Sequence, residues 1–131
     1  MQMTQEDRDE WVAALRSGKY QQGRGGLLES RSNTACCLGV LCDLQVAKGV
    51  LKKDTTLLKT RFYDPRDEEE GSFAALPLIL QERFSCGGGV KVQYEGNSDT
   101  LMTLNDVTGL SFSAIADIIE NQVEIIPSYP T

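Results

Sequence analysis

The segment from Ala35 to Ala47 constrains the fold more than any other part of the chain. Its apolar side chains surround most of the circumference of a helix, which is typical of a helix that is buried on all sides. They are Cys37, Leu38, Val40, Leu41 and Leu44. A glycine inside a helix costs about 1 kcal/mol relative to alanine, so Gly39 indicates close packing against another element. We therefore expect a central buried helix over residues 35–47, with Ser32, Asn33 and Thr34 as candidate caps.

Three of the four cysteines, Cys36, Cys37 and Cys42, lie in this segment, and the chain contains no histidine. A structural zinc ion needs four converging ligands, but at roughly 100° per residue positions 37 and 42 of a helix lie about 140° apart. A Cys-His dyad is excluded because there is no histidine to act as the base. We expect inert, buried thiols and neither a metal nor another cofactor. Cys36, close to a helix start and to Arg31, is the one thiol that a thiol-dependent enzyme would use.

Charge is distributed unevenly along the chain. Residues 1–60 carry a charge of +2 and residues 61–131 carry −8, which gives a net charge of −6. The basic residues that come closest to a stripe are spread over residues 48–61, so we do not expect duplex nucleic acid as a partner. An acidic run, Asp67–Glu70, follows a turn at Tyr63-Asp64-Pro65, which predicts an exposed acidic loop over residues 63–72.

Length and hydropathy set further limits. A chain of 131 residues, 40% hydrophobic and 24% charged, has the size and composition of one globular domain, predicted over residues 1–131. No apolar run approaches the roughly 20 residues that cross a bilayer, so we expect no membrane contact. The polar start, Met1 to Asp7, does not resemble a secretory signal, which predicts a cytoplasmic protein. The composition leaves a homo-oligomer open.

The remaining patterns predict both helices and strands. Thr4, acids in the first turn and Gly18 after the last turn predict a helix over about residues 5–17. Extended pieces on either side of the glycines at 23, 25 and 26 predict a glycine-turn hairpin or a tight loop. Further helices are expected over about 78–84, about 101–106 and from 112 onwards, with strands over 90–94 and 123–126 and a turn over 95–99. The sum is a small α+β domain that is rich in helix.

The glycine-rich stretch from Gly18 to Gly26 is the best candidate for contact with a ligand. Glycines let backbone amides approach an anion, and Lys19 and Arg24 supply positive charge. Tyr20 offers a ring on which a base can stack, and Gln22 can bond a polar edge. The stretch matches neither a phosphate-binding P-loop nor a dinucleotide fingerprint, so a plain hairpin turn is the alternative interpretation.

Two further polar positions are candidates. Asn105 and Asp106 are adjacent at a predicted turn, where their side chains can bond a ribose or a base, or can form a local cap. Asp43 lies inside the apolar helix, and its interpretation stays open between a functional carboxylate and a surface contact.

Both ends of the chain and the central helix carry a resemblance to a known family. The residues are Trp11, Ala14-Leu15, Ser17-Gly18-Lys19-Tyr20, Gln22-Gly23, Leu27, the motif CCLGVLCD at 36–43, Leu104-Asn105-Asp106 and SFSAIADIIE at 111–120. Together they resemble a family of small phage and prophage proteins. The resemblance implies action by stoichiometric binding, including inhibition of host defence enzymes and sequestration of nucleotide-derived immune signals, in the host cytoplasm.

We therefore expect a non-catalytic phage-type binding protein that opposes host defence by sequestering a nucleotide-derived signalling molecule. Lys19, Tyr20, Gln22 and Arg24 would contact the ligand, together with Asn105 and Asp106. One alternative is an acidic inhibitor of a host enzyme, acting through the residues around Asp64 to Glu70 or by mimicking the charge of DNA. The other alternative is a thiol-dependent enzyme.

Overall fold

Helices and short strands alternate along the chain in the computed structural model, which describes residues 1–130. The helices are α1 (Gln5–Arg16), α2 (Cys37–Ala47), α3 (Leu78–Arg83), α4 (Leu101–Thr103) and α5 (Phe112–Gln122), and a π-helical segment, Leu104–Thr108, follows α4. The strands are β1 (Gln2–Met3), β2 (Gln21–Gln22), β3 (Leu28–Glu29), β4 (Thr34–Ala35), β5 (Lys52–Asp54), β6 (Arg61–Asp64), β7 (Asp67–Ser72), β8 (Lys91–Tyr94), β9 (Asn97–Thr100) and β10 (Glu124–Ile125). The fold is α+β, as the sequence predicts.

The predicted helix over residues 5–17 is confirmed as α1, which ends one residue earlier than predicted. The Thr4 side chain caps it by accepting a hydrogen bond from the Asp7 backbone N–H. The buried face of α1 packs against α5 and α2. Trp11 is fully buried there and donates from Nε1 to the Cys37 carbonyl at 2.9 Å. Because this bond satisfies the indole N–H inside the core, Trp11 joins α1 to the start of α2.

Helix α2 is the buried helix that the sequence predicts, although it begins at Cys37. Its first six residues, Cys37 to Cys42, are all fully or almost fully buried. A Cβ on Gly39 would lie 1.6 Å from the Leu27 carbonyl oxygen, so the backbone before β3 packs directly on the helix. The expected close contact at Gly39 is confirmed, and its partner is main chain. None of the predicted caps, Ser32, Asn33 or Thr34, serves as the N-cap, which is Cys36.

The predicted glycine-turn hairpin is wrong. Strands β2 and β3 flank the glycines, but both pair with β4, which lies between them, β2 in parallel and β3 in antiparallel orientation. Gly23 donates its N–H to Ala35 in β4 at 2.8 Å, so the chain leaves β2 along β4 instead of folding back on itself. The five-residue connection from Gly23 to Leu27 therefore links two strands that are not neighbours in the sheet.

The predicted acidic loop over residues 63–72 is replaced by a hairpin. Strand β6 pairs with β7 in a three-stranded sheet of order β5-β6-β7. The register shifts between Tyr63 and Asp64, so that residues 68–70 form a bulge between the pairs Tyr63–Gly71 and Asp64–Asp67. Asp67, Glu68 and Glu69 are exposed, as expected for the run. Charge and a bulge on an edge strand discourage pairing with another chain.

The last third follows the predictions closely. Strand β8 and helix α5 form as expected, and the Ser111 side chain caps α5 by accepting from the Ala114 N–H. The expected turn over 95–99 runs into strand β9, which pairs with β8. Strand β10 lies parallel to β1 and joins the two ends of the described chain. None of the helices in residues 1–130 has both the length and the apolar character needed to cross a bilayer.

Candidate functional site

The structure divides five of the six predicted site residues into two groups, and the sixth, Arg24, lies in the connection after β2. Lys19 and Tyr20 lie before β2, where the Tyr20 hydroxyl contacts α2. Gln22 and Asn105 lie together where β2 meets the π-helical segment, and Asp106 is hydrogen-bonded to Asn105. The predicted single cluster is therefore two neighbouring groups with different partners.

Asn105 is the centre of the second group and is completely buried. Its Oδ1 accepts hydrogen bonds from Gln22 Nε2 at 2.9 Å and from the Cys37 backbone N–H at 3.3 Å. Its Nδ2 donates to the Gly23 carbonyl and to Asp106 Oδ1, both at 2.8 Å. An amide side chain has two donors and two good acceptor sites, so Asn105 is saturated by protein groups. We call Gln22, Cys37, Asn105 and their bonds the Asn105 junction.

The Asn105 junction also starts α2. The N-cap residue Cys36 makes no side-chain capping bond, and Asn105 supplies one from the distant π-helical segment. Asp106 places negative charge near the same helix terminus, where the helix dipole favours it. Burial chiefly, and the charge of Asp106 in addition, raise the pKa of the Cys36 thiol to about 11 in spite of backbone hydrogen bonds that lower it. This thiol is protonated at neutral pH.

Gln22 belongs to the same junction. Its Nε2 donates to the Leu110 carbonyl at 2.8 Å as well as to Asn105, so both amide hydrogens are used. Gln22 therefore holds β2 against the end of the π-helical segment. The sequence predicts Gln22 and Asn105 as separate ligand contacts, whereas the structure directs the side-chain donors of both to protein acceptors.

Tyr20 is buried, with 9% of its surface exposed. Its hydroxyl donates to Asp43 Oδ2 at 2.7 Å, and the Lys53 ammonium donates to Asp43 Oδ1 at 2.9 Å. Burial, together with the hydrogen bond and the charge of Asp43, raises the pKa of Tyr20 far above its usual value. The ammonium of exposed Lys19 lies 5.8 Å from the centre of the Tyr20 ring. Asp43 thus has a structural contact, and the Tyr20 ring offers little free surface.

The connection Gly23–Leu27, which we call the glycine loop, differs from the Asn105 junction because some of its hydrogen-bond donors have no protein partner. Both ends are fixed, since Gly23 donates to Ala35 at 2.8 Å and Leu27 donates to Phe73 at 2.7 Å. Between them, the backbone N–H groups of residues 24, 25 and 26 donate to no acceptor within residues 1–130. Gly25 has a φ of +78°, which glycine adopts without strain. A short loop with fixed ends therefore presents consecutive unpaired donors.

Two cations border the glycine loop. The Lys59 ammonium donates to the Gly25 carbonyl at 3.2 Å, and its aliphatic chain passes Gly26, where a Cβ would lie 3.6 Å from Lys59 Cδ. The Arg24 guanidinium lies against Gly109, where a Cβ would be 2.8 Å from Nη2. Neither cation forms an ion pair with a carboxylate of the described residues. We call the N–H groups of residues 24–26, Arg24 and Lys59 the loop site.

Sequence reasoning named Arg24 for this site and missed Lys59. Lys59 lies 34 residues after Gly25 and precedes β6, and an isolated bridge between Glu29 and Lys59 brings it to the loop. The only signal in the sequence was the positive charge itself, which the chain shares with its other lysines. Topology, not local pattern, selects Lys59.

The cysteines do not form a second candidate site. Cys36, Cys37 and Cys42 are buried in the core and Cys86 is half-buried, and all four are free thiols. Burial raises the pKa of each of these thiols. Over residues 1–130, no three His, Cys, Asp or Glu side chains come close enough to hold a metal ion.

Fold and site together define a small α+β domain with a buried polar junction beneath an exposed, cation-bordered glycine loop. The chain belongs to the family described as a domain of unknown function, DUF8296, which matches residues 3–123. The matched range contains both the Asn105 junction and the loop site. No curated protein and no solved structure matches the chain.

Proposed function

We propose that this protein is a non-catalytic binding protein that sequesters a nucleotide-derived signalling molecule through the phosphates of that molecule. The observation that carries the proposal is the loop site: consecutive unpaired N–H groups at residues 24–26 in a loop that also carries Arg24 and is contacted by the Lys59 ammonium. The phage-type role, as an antagonist of host defence, rests on the resemblance of the motif segments at 36–43 and 104–120.

The chemistry of the loop site suits a phosphate group. Phosphate oxygens accept several hydrogen bonds at once, and consecutive backbone N–H groups in a loop form a concave anion-binding arrangement. Glycines at 25 and 26 allow the anion to come close to the main chain because no side chain intervenes. Arg24 can bond a phosphate through two N–H groups, whereas Lys59 adds a compact charge.

The Asn105 junction contributes to this proposal by positioning. Asn105 holds the Gly23 carbonyl at 2.8 Å, so the start of the glycine loop is tied to α2 and to the π-helical segment. A loop that is held before the ligand arrives loses less conformational entropy on binding. Arg24 is thus the predicted residue that we retain as a direct contact, and Gln22 and Asn105 become supporting residues.

The test is a calorimetric titration with ADP-ribose and with a cyclic dinucleotide. We expect one of the two to bind, to raise the melting temperature in a concentration-dependent way, and to be recovered unchanged after release. The Arg24→Glu/Lys59→Glu double variant should lose at least about a hundredfold in affinity, since two charged hydrogen bonds of about 1.5–3 kcal/mol each are lost. Lys91→Glu is the control, because exposed Lys91 lies on β8, away from the loop.

Absence of binding to both nucleotides would contradict the proposal. An equal loss of affinity in Lys91→Glu would show that only the net charge matters, and conversion of the ligand would contradict the non-catalytic role.

A second candidate function rests on the β6–β7 hairpin. Its exposed acids lie beside a groove whose lining includes the carboxylates of Asp64, Asp67, Glu70 and Glu82 against one guanidinium, that of Arg66. Leu78, 55% exposed, supplies an apolar contact in the same groove. This surface favours a basic partner, as an acidic inhibitor of a host defence enzyme requires.

This second function predicts a strong dependence on salt. Affinity for a DNA-binding defence enzyme should fall steeply with ionic strength, and charge reversal at Glu68, Glu69 and Glu70 should weaken it further. The Arg24→Glu/Lys59→Glu variant should leave this binding unchanged. Insensitivity to both salt and charge reversal would exclude the hairpin as the binding surface.

A further inference from the structure

Three of the large apolar side chains that are exposed in residues 1–130 lie on segments that contact the glycine loop or its continuation. Leu57 and Leu58 are 63% and 53% exposed and immediately precede Lys59, and Phe73 is 38% exposed. The Leu58 carbonyl accepts a hydrogen bond from Ser30, just after β3. Ligand sites combine apolar and aromatic side chains with a small number of polar groups.

Phe73 is held at the end of the glycine loop by its main chain. Its carbonyl accepts the Leu27 N–H at 2.7 Å, and a Cβ on Gly26 would lie 3.6 Å from that same oxygen. The same Cβ would lie 3.6 Å from Lys59 Cδ. The Phe73 main chain and the Lys59 side chain therefore border Gly26 together.

Base stacking needs an exposed aromatic side chain, and Phe73 is a better candidate for this role than Tyr20. The sequence predicted that a base stacks on Tyr20, but its ring is buried and its hydroxyl is bonded to Asp43. Phe73 has no polar side-chain group to satisfy, and it is 38% exposed at a position whose main chain borders the loop. Stacking of a nucleobase on an exposed aromatic ring contributes about 1–3 kcal/mol and requires no particular base.

We propose that Phe73 is the base-stacking residue of the loop site, so that the site takes nucleotides in preference to sugar phosphates without a base. This inference rests on the proposed function, because it places the phosphate of the same ligand at residues 24–26. Phe73 then determines the class of ligand, while Arg24 and Lys59 supply affinity for any phosphate. The sugar spans the two parts of the site.

The experiment compares AMP with ribose 5-phosphate, which share a phosphorylated ribose and differ in the base. Wild-type protein should bind AMP at least about fivefold more tightly, the lower end of the stacking contribution. Phe73→Ala should remove this preference and leave the affinity for ribose 5-phosphate unchanged. Phe73→Tyr should keep the preference, because the ring is retained, and Ile125→Ala, which removes an exposed apolar side chain on β10, should have no effect.

The outcomes separate this inference from the proposed function. Equal affinities of wild-type protein for AMP and ribose 5-phosphate, or an AMP preference that survives Phe73→Ala, would overturn the stacking role while phosphate binding stands. Equal weakening of both ligands by Phe73→Ala would mean that Phe73 supports the loop and does not stack, which also overturns the inference. Failure of ADP-ribose, the cyclic dinucleotide and AMP to bind at all would overturn the proposed function, and the inference with it.

Discussion

The Asn105 junction and the glycine loop are adjacent and both polar, yet they use their hydrogen-bonding groups in opposite ways. Asn105 is fully buried and makes four hydrogen bonds to protein. The N–H groups of residues 24–26 make none within residues 1–130. A saturated buried amide belongs to the fold, because leaving any of its partners unpaired costs free energy. Unpaired donors on a held loop are the ones that remain for a ligand.

Polar residues that lie near glycines in the fold differ in whether their hydrogen-bonding groups are free for a ligand. Gln22, Asn105 and Arg24 look equivalent as candidate ligand contacts in the sequence. The structure separates them by burial and by the number of protein partners. The neighbouring regions should therefore respond differently to substitution, with loss of stability at the junction and loss of binding at the loop.

The largest difference in stability is expected between alanine substitutions at two glycines. Gly39→Ala places a Cβ 1.6 Å from the Leu27 carbonyl, so the backbone must move, which we expect to cost more than about 4 kcal/mol. Gly26→Ala meets its nearest atoms at 3.6 Å and should change stability by less than about 0.5 kcal/mol. Urea unfolding of both variants measures this. Similar losses in the two variants would show that the glycine loop is as tightly packed as α2.

The next effect concerns Asn105 itself. Asn105→Ala leaves the Cys37 N–H and the Gly23 carbonyl without their partner and should cost about 3 kcal/mol. Arg24→Gln removes an exposed charge and should leave the free energy of unfolding within about 0.5 kcal/mol. Chemical denaturation of the two variants measures both free energies of unfolding. A stable Asn105→Ala protein that has lost only ligand affinity would return Asn105 to the ligand-contact role.

A second buried polar cluster, at the other end of α2, extends the comparison to a charged group. Asp7 is 3% exposed and is hydrogen-bonded by the Lys48 ammonium and the Tyr129 hydroxyl. Burial alone would raise the pKa of Asp7, but the bonds from Lys48 and Tyr129 and the charge of Lys48 outweigh it, so its pKa lies below the usual 3.8.

A carboxyl whose pKa is lower in the folded state stabilises the protein above its unfolded-state pKa, and this contribution is lost as the pH falls through the folded-state value. Wild-type protein should therefore lose stability on acidification through and below pH 3.8, and Asp7→Asn should lose less. At neutral pH, Asp7→Asn should be less stable by about 2 kcal/mol, since it weakens charged hydrogen bonds. Urea unfolding of both proteins across this pH range tests the prediction. Identical pH profiles would exclude Asp7 as the cause of the loss of stability in acid.

The smallest effect is expected at Tyr20. Tyr20→Phe removes the 2.7 Å bond to Asp43 and should cost about 1 kcal/mol, while Lys19→Ala, at an exposed position, should be close to neutral. Thermal unfolding of both variants tests this, with titration of ADP-ribose as the second measurement. Tyr20→Phe should bind as wild type does. A loss of affinity without a loss of stability would place Tyr20 in the ligand site after all.

Local patterns predicted the helices well for a physical reason. The cap at Thr4, the apolar circumference of α2 and the cap at Ser111 act within a few residues, so neighbours in sequence are sufficient to specify them. Gly39 was predicted to allow a close contact, but its partner, Leu27, was not predictable because main chain can approach from any element. The insertion of β4 between β2 and β3 was missed because pairing between non-adjacent strands leaves no local signal.

The sequence by itself determined the fold class, the buried helix around Cys37–Cys42 and the set of polar residues near the glycines. Only the tertiary structure decided which of those polar residues have protein partners: Asn105 and Gln22 are bonded to each other, Tyr20 is bonded to Asp43, and Arg24 is left with Lys59 at the loop. Residue type defines which hydrogen bonds a side chain can form. Burial and long-range topology determine which of them it does form, because a buried polar group must be paired whereas an exposed one can await a ligand.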